Sequence, residues 1–199
     1  MAIKPILFNK EMVRAILDGR KTCTRRIIKA EKVDNVLNSP ARKSNPDIPD
    51  AQFIKCLVDM KYEPGDILYV RETWYKSPLR YMYRANYFNT EQFYTDGKEV
   101  NIKWHPSIHM PKEAARIWLK VTDVRVERLQ EITGQDVLKE GLNSHVHPQA
   151  SYFDGNQREM FEKLWNSTIK KSDIDRYGWD ASPYVLVIEF ERCEKPENL

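Results

Sequence analysis

Cysteine is scarce in this chain: Cys23, Cys56 and Cys193 are the only three among 199 residues, and no C-x-x-C spacing links them. That excludes a disulfide framework and a cysteine-built zinc site. A chain of this length can bury a sufficient core without such staples. Long apolar runs are also missing, since a membrane span needs about 18 or more consecutive apolar residues. The opening Met-Ala-Ile-Lys-Pro-Ile-Leu-Phe turns polar too soon for a secretory signal. The expectation from these absences is a cytoplasmic protein with reduced thiols and no membrane partner. Strong net charge is lacking too: the formal value is +3, too small to imply a polyanionic partner by itself. The distribution is more telling. Lys and Arg clearly outnumber Asp and Glu between Lys10 and Lys32, whereas the stretch from Glu189 to Leu199 is acidic.

No internal repeat is present. The first element reads as a helix, with Asn9 as its cap, Glu11 in the first turn, and Met12, Val13, Ile16 and Leu17 as its apolar stripe. Gly19 stands where a helix commonly closes in a left-handed turn. The basic, hydroxyl-bearing run Gly19-Arg20-Lys21-Thr22-Cys23-Thr24-Arg25-Arg26 therefore begins as the chain leaves a helix. Residues 34–50, with Pro40, Pro46 and Pro49, read as a long loop. Glu63-Pro64-Gly65-Asp66 marks a turn, and Ile67 to Trp74 reads as a strand. The aromatic stretch 79–104 reads as short strands or an insertion. A strand follows over Ala115 to Leu129, with a parity shift near Asp123 that suggests a bulge. Thr133 caps a helix closed by Gly141, with Asp136 three residues on as a weak analogue of a capping box. A second helix from about Asn156 to Ser167 buries Met160, Phe161, Leu164 and Trp165. Tyr184 to Cys193 closes the chain as a strand. Several short strands without a βαβ rhythm predict an α+β fold around a small barrel, with helices at its edges.

Lys21, Thr22 and Thr24 are the first candidates for chemistry. A threonine hydroxyl needs a base, and a lysine serves only when neighbouring cations or burial lower its pKa; Arg20, Arg25 and Arg26 are the neighbours. Residues 21 and 24 face opposite sides of a regular strand, so a shared pocket requires a turn, for which Gly19 is placed. The alternative is a solvated basic turn. Glu72 shares parity with Leu68 and Val70 and is expected to point inward, where it must find a cation; an arginine of the 20–26 run is the natural partner, in a structural pair or as support to a site. Glu140 ends a helix at its negative pole, a placement costing about 0.3–1 kcal/mol near a surface. His105 and His109, and His145 and His147, have spacings that can converge on zinc, yet no further ligands complete a set, so neither a metal nor a cofactor is expected. Trp74, Tyr81, Tyr83 and Tyr87 lie near basic residues and are candidates for base stacking. Trp118, Trp165 and Trp179 read as core.

The chain resembles the ASCH domains, relatives of the PUA-type RNA-binding domains. The resemblance is carried by Ile16-Leu17-Asp18-Gly19-Arg20-Lys21-Thr22-Cys23-Thr24-Arg25-Arg26, by Pro64-Gly65-Asp66-Ile67-Leu68-Tyr69-Val70-Arg71-Glu72-Thr73-Trp74, by Lys139-Glu140-Gly141 and by Val185-Leu186-Val187-Ile188-Glu189-Phe190. Arg71-Glu72-Thr73-Trp74 with Tyr177-Gly178-Trp179-Asp180 looks like the longer members carried by phages and prophages. The resemblance implies one PUA-like domain over 1–199, with loop or strand insertions near 30–62 and 76–112. It also implies RNA, DNA or a modified nucleoside as partner. A small bacterial branch hydrolyses the acetyl amide of N4-acetylcytidine with a lysine, a threonine and a glutamate. Its lysine and threonine fall on Lys21 and Thr24, and its glutamate on Glu140, a match by helix position.

Three functional expectations follow. In the first, an amidohydrolase acts on a modified pyrimidine, with Lys21 as base, Thr24 as nucleophile or water-positioning group, and Glu140 as proton donor. In the second, a non-catalytic module binds nucleic acid through Arg20, Lys21, Thr22, Arg25 and Arg26, with Glu72 and Trp74 in support. In the third, a ribonuclease, in its metal-assisted form, uses Glu72 and histidines as ligands.

Overall fold

The computed structural model describes residues 1–87, 93–95, 98–100, 102–142 and 154–197; the side chains of 93–95, 98–100 and 154–156 are outside the description. Its helices are α1 (Lys10–Leu17), α2 (Ala30–Leu37), α3 (Pro40–Ser44), α4 (Asp50–Leu57), α5 (Gly134–Lys139), α6 (Asp154–Thr168) and α7 (Ile174–Tyr177). Its strands are β1 (Ile3–Leu7), β2 (Cys23–Ile27), β3 (Ile67–Arg71), β4 (Trp74–Lys76), β5 (Tyr81–Tyr83), β6 (Phe93–Thr95), β7 (Lys98–Val100), β8 (Trp118–Arg128) and β9 (Tyr184–Cys193). Contacts divide the chain into two compact units. Unit 1 is Met1–Gly19, Gly65–Lys120 and Glu191–Leu199; unit 2 is Arg20–Pro64 and Val121–Phe190.

In unit 1, β1 runs parallel to β3, with Ile3 opposite Ile67, and β3 runs antiparallel to the start of β8, with Leu68 opposite Leu119. Asp66 locks the first pairing: its carboxylate accepts from the Ala2 amide at 2.9 Å and from Lys4 Nζ at 2.6 Å. Ile67, Tyr69, Met110, Ala114, Ala115 and Trp118 form the core, against which Trp74, Tyr81 and Tyr83 pack. The hairpins β4–β5 and β6–β7 are separate two-stranded pieces. Asn9 caps α1 as expected, accepting from the Met12 amide at 2.8 Å, and Gly19 ends it at φ 73°.

In unit 2, β2 pairs antiparallel with β9, with Thr24 opposite Ile188. Leu129, Ile132, Val137, Phe161, Trp165, Trp179, Val185 and Val187 make the core, with α5 and α6 packed together. On α5 the weak analogue expected is a full capping box: Thr133 accepts from the Asp136 amide, and Asp136 accepts from the Thr133 amide. Gly141 follows α5 at φ 86°, a left-handed conformation that strains any residue with a Cβ.

Two expectations need correction. Residues 34–50 carry the end of α2, all of α3 and the first residue of α4, and most of the expected insertion over 30–62 is helical rather than loop. The prolines were read as breakers, yet Pro40 opens α3 behind the cap Ser39, and Pro49 immediately precedes α4; proline suits a helix start because its missing N–H would have no helical acceptor there. The barrel is the second: the strands form a five-stranded mixed sheet in the order β1-β3-β8-β9-β2, with β1 and β2 at its ends and no closure among the described residues. Alternation along a strand fixes which faces are buried, not which strands are neighbours. β8 runs through Asp123, and its buried positions change parity between Val121 and Val124, as a bulge or bend there requires. No helix among the described residues is long and apolar enough to cross a membrane.

Candidate functional site

The end of α5 and the start of β2, both in unit 2, build a buried polar cluster. The chain enters β2 beside the helix end: the Thr22 amide donates to the Lys139 carbonyl at 2.8 Å, and Lys21 and Glu140 form an antiparallel bridge. Thr22 is itself exposed, and its carbonyl accepts from the Phe190 amide at 2.9 Å. The backbone is thus held on both sides of Lys21. Glu140 is the C-cap of α5, with Gly141 behind it turning the chain away.

The Lys21 side chain is 0% exposed and that of Glu140 5%. Lys21 Nζ donates to Glu140 Oε2 at 2.5 Å and to the Glu140 carbonyl at 3.0 Å. The other carboxylate oxygen accepts from Arg25 Nη1 at 3.2 Å. Arg25, also 0% exposed, reaches Glu127 Oε2 at 3.2 Å and lies 3.6 Å from Asp136 Oδ2. Its guanidinium sits over the Phe161 ring, 5.9 Å from the centroid. Arg125 extends the network, pairing with Glu127 and with Glu189 at 2.7 Å. Lys139 also reaches Glu189, at 3.4 Å. The placement of Glu140 against the α5 dipole is therefore matched by two cations aimed at its carboxylate.

Two neighbours report this environment. Burial, with Glu140 next in weight, pushes the Cys23 thiol up to about 12, so Cys23 is a packed, unreactive thiol. Burial would also raise Asp136, but hydrogen bonds from Thr133 and the charges of Arg25 and Arg125 hold it below its ordinary value.

Alternation along β2 sets Cys23 and Arg25 on one face and Thr24 and Arg26 on the other. Thr24 is buried, 2% exposed, and among the described residues no hydrogen bond joins its hydroxyl to Lys21 or Glu140. Arg26 is half-buried; burial lowers its pKa, while Tyr62 and Glu140 raise it. Arg20 donates to the Gly141 carbonyl at 2.6 Å, so it clasps the turn behind Glu140. Lys21 and Glu140 thus meet, Arg25 joins them through Glu140, and Thr24 lies close by in sequence without bonding to either.

Glu72 and Trp74 belong to unit 1. Glu72 points inward as its parity predicts and is 1% exposed, but its partner is Arg116, not an arginine of the 20–26 run. Arg116 Nε and Nη2 reach its two oxygens at 2.8 and 3.0 Å, and the Tyr83 ring lies on the guanidinium, 4.1 Å from its centre. Arg116 stands 44 residues along the chain, so only the tertiary fold selects it. Burial raises the Glu72 pKa, and the Arg116 hydrogen bonds and charge oppose that. Trp74 packs against Tyr81 and His105, with centroids 5.8 and 5.0 Å apart. His105 and His109 are exposed, and among the described residues no three His, Cys, Asp or Glu side chains are grouped to hold a metal; His145 and His147 lie outside the described residues. Sequence reading missed Arg116, Arg125, Glu127 and Glu189. A usable signal was the alternation Asp123, Arg125, Glu127, which sets opposite charges in a row on one face of a strand.

No protein-family model matches the chain, and no curated protein matches it. Among solved structures, the fold is similar to a high-resolution crystal structure of an ASCH domain from Lactobacillus crispatus JV V101, at 9% identity and TM-score 0.40, over 96% of this chain and 79% of that one. It is also similar to the crystal structure of hypothetical protein PH0355, at 15% identity and TM-score 0.37, over 97% of this chain and 100% of that one. Similarities at these scores leave the functional reading to the residues themselves.

Proposed function

We propose that unit 2 binds a pyrimidine nucleoside and hydrolyses an acyl amide on its exocyclic amine, with Lys21 and Glu140 as the couple that moves the proton. The observation that carries this reading is the wholly buried Lys21 ammonium, 2.5 Å from a buried carboxylate. Cations that grip phosphate must be reachable by it, whereas Lys21 and Arg25 have 0% exposed side chains and face carboxylates. That disfavours a site built only for phosphate contact, and it requires the cluster to open before a nucleoside reaches Lys21. A lysine–glutamate pair can instead exchange a proton, which an arginine pair cannot.

The sequence of events follows from that couple. Substrate enclosure drives one proton from the Lys21 ammonium onto Glu140, leaving a neutral amine. The amine takes the hydroxyl proton of Thr24 as its Oγ1 bonds to the acyl carbon. Glu140 returns its proton to the departing ring amine as the C–N bond breaks. Water then cleaves the threonyl ester, releasing the carboxylic acid and restoring Thr24. Arg25 and Arg20 hold Glu140 and the turn behind it. This chemistry requires the Thr24 hydroxyl to come within hydrogen-bond reach of Lys21 in the loaded site.

The test is release of acetate from N4-acetylcytidine by the full chain. Turnover lost in Lys21→Ala supports the assignment. A folded wild-type protein that releases no acetate refutes it.

A further inference from the structure

The β4–β5 hairpin in unit 1 carries a feature that neither packing nor turn chemistry explains. Ser77, Pro78, Leu79 and Arg80 form its tip, and Leu79 is 96% exposed. Proline suits the second position of such a turn, but the third position is ordinarily polar or glycine. Hydrogen bonds close the tip. The Ser77 amide and hydroxyl both donate to the Arg80 carbonyl, at 2.9 and 2.7 Å, and the Arg80 amide donates to the Ser77 hydroxyl at 3.0 Å.

Below the tip the hairpin is braced. Trp74 exchanges backbone hydrogen bonds with His105, at 3.2 and 2.7 Å, and the Arg84 amide donates to the Thr73 carbonyl at 2.9 Å. The Tyr83 hydroxyl donates to the Ala114 carbonyl at 2.7 Å. A two-stranded ribbon is marginal alone; this one is anchored at its base and closed by hydrogen bonds at its tip. Lys76 and Arg80, both exposed, flank Leu79, and the Lys76 ammonium lies 5.7 Å from the Tyr81 ring centroid. From Arg71 to Tyr87 the cations Arg71, Lys76, Arg80 and Arg84 face a single acid, Glu72, which Arg116 neutralises.

A lone exposed leucine is unremarkable on most surfaces. A braced hairpin tipped by an aliphatic side chain and bracketed by two cations fits a particular partner. We infer that this hairpin is an insertion finger for nucleic acid, with Leu79 wedging between stacked bases while Lys76 and Arg80 take the adjoining phosphates. Apolar wedges of this kind unstack a base step, and unstacking is what presents a base for chemistry outside the helix. The inference extends the proposed function from nucleosides to polymers, and it stands on residues other than those of the Lys21 cluster.

The experiment uses the full chain and a short duplex with a central 2-aminopurine, whose fluorescence rises on unstacking, alongside anisotropy of the same duplex. Wild type is expected to bind and raise the fluorescence. Leu79→Ser is expected to keep binding but lose more than about two thirds of that rise. Lys76→Glu with Arg80→Glu is expected to bind about tenfold or more weakly and to lower the salt slope by about 1.8, as for two phosphates lost. Leu79→Ser is expected to release acetate from the free nucleoside as wild type does, which separates failure of the finger from failure of the hydrolase. A full fluorescence rise in Leu79→Ser overturns the inference. So does the absence of duplex binding by wild type, or a change of oligomeric state that follows Leu79 instead.

Discussion

Each unit buries a glutamate against a cation, and the two pairs differ in geometry and in the chemistry of the cation. In unit 1, Glu72 is gripped through both oxygens by Arg116, whose outer face is covered by Tyr83. In unit 2, Glu140 is shared: Lys21 takes one oxygen and Arg25 the other. A guanidinium keeps its proton at any accessible pH and prefers this planar, two-pronged geometry. An ammonium is a compact donor whose proton can leave. Under the proposed function, the first pair is a brace and the second the proton-moving couple, even though both glutamates look alike by burial.

The largest expected effect falls on the couple. Lys21→Ala should lower acetate release by about a hundredfold to ten-thousandfold, and it should destabilise unit 2 by about 3–5 kcal/mol by stranding Glu140 and Arg25. Kinetics and chemical denaturation of the same variant report both. Breaking the brace should dissociate these outcomes. Glu72→Ala is expected to cost about 2–4 kcal/mol, less if water reaches Arg116, whose side chain is 23% exposed, while kcat stays near wild type. A comparable loss of kcat would erase the distinction drawn between the pairs.

The part legible in sequence was the local part. Asn9, Thr133, Asp136, Gly19 and Gly141 announced their caps and turns because capping is a short-range hydrogen-bonding problem. Strand parity placed Glu72 inward. The partner of Glu72 was not legible, because Arg116 is chosen by how two distant segments pack. Arg25 shows the same limit: its charge was visible, but a phosphate-facing and a carboxylate-facing arginine look identical in a sequence. The α2–α4 region was misread because proline breaks a helix only within it, and here it stands at or just before the first turn. The Lys21–Glu140 contact joins residues 119 apart, and it was reached through a resemblance rather than through spacing.

Smaller effects sharpen the comparison through pH. Burial raises the pKa of Glu72 in the folded chain. The folded state therefore holds this proton more tightly than the unfolded one, so the contribution of Glu72 is full below its ordinary carboxylate value and falls as pH rises through the raised one. Glu72→Gln should remove that decline from a stability–pH curve. Cys23 follows the same sign higher up: with the thiol pushed up to about 12 from 9.0, its contribution is full below pH 9.0 and is lost as pH rises through about 12. Iodoacetamide at pH 8 should label the exposed Cys56 and spare Cys23 in the native protein. The smallest change is local. Gly141→Ala, at φ 86°, should cost about 1–2 kcal/mol, together with a drop in acetate release if the turn holds Glu140 in place.

The most direct measurement is acetate release from N4-acetylcytidine by wild type and by Lys21→Arg, with thermal unfolding recorded on both. Arginine keeps the positive charge beside Glu140 but cannot surrender a proton. Turnover by wild type, and its loss in a Lys21→Arg protein that still unfolds cooperatively, is the predicted result. Equal turnover by the two proteins would contradict the account, because a charge that never leaves would then suffice.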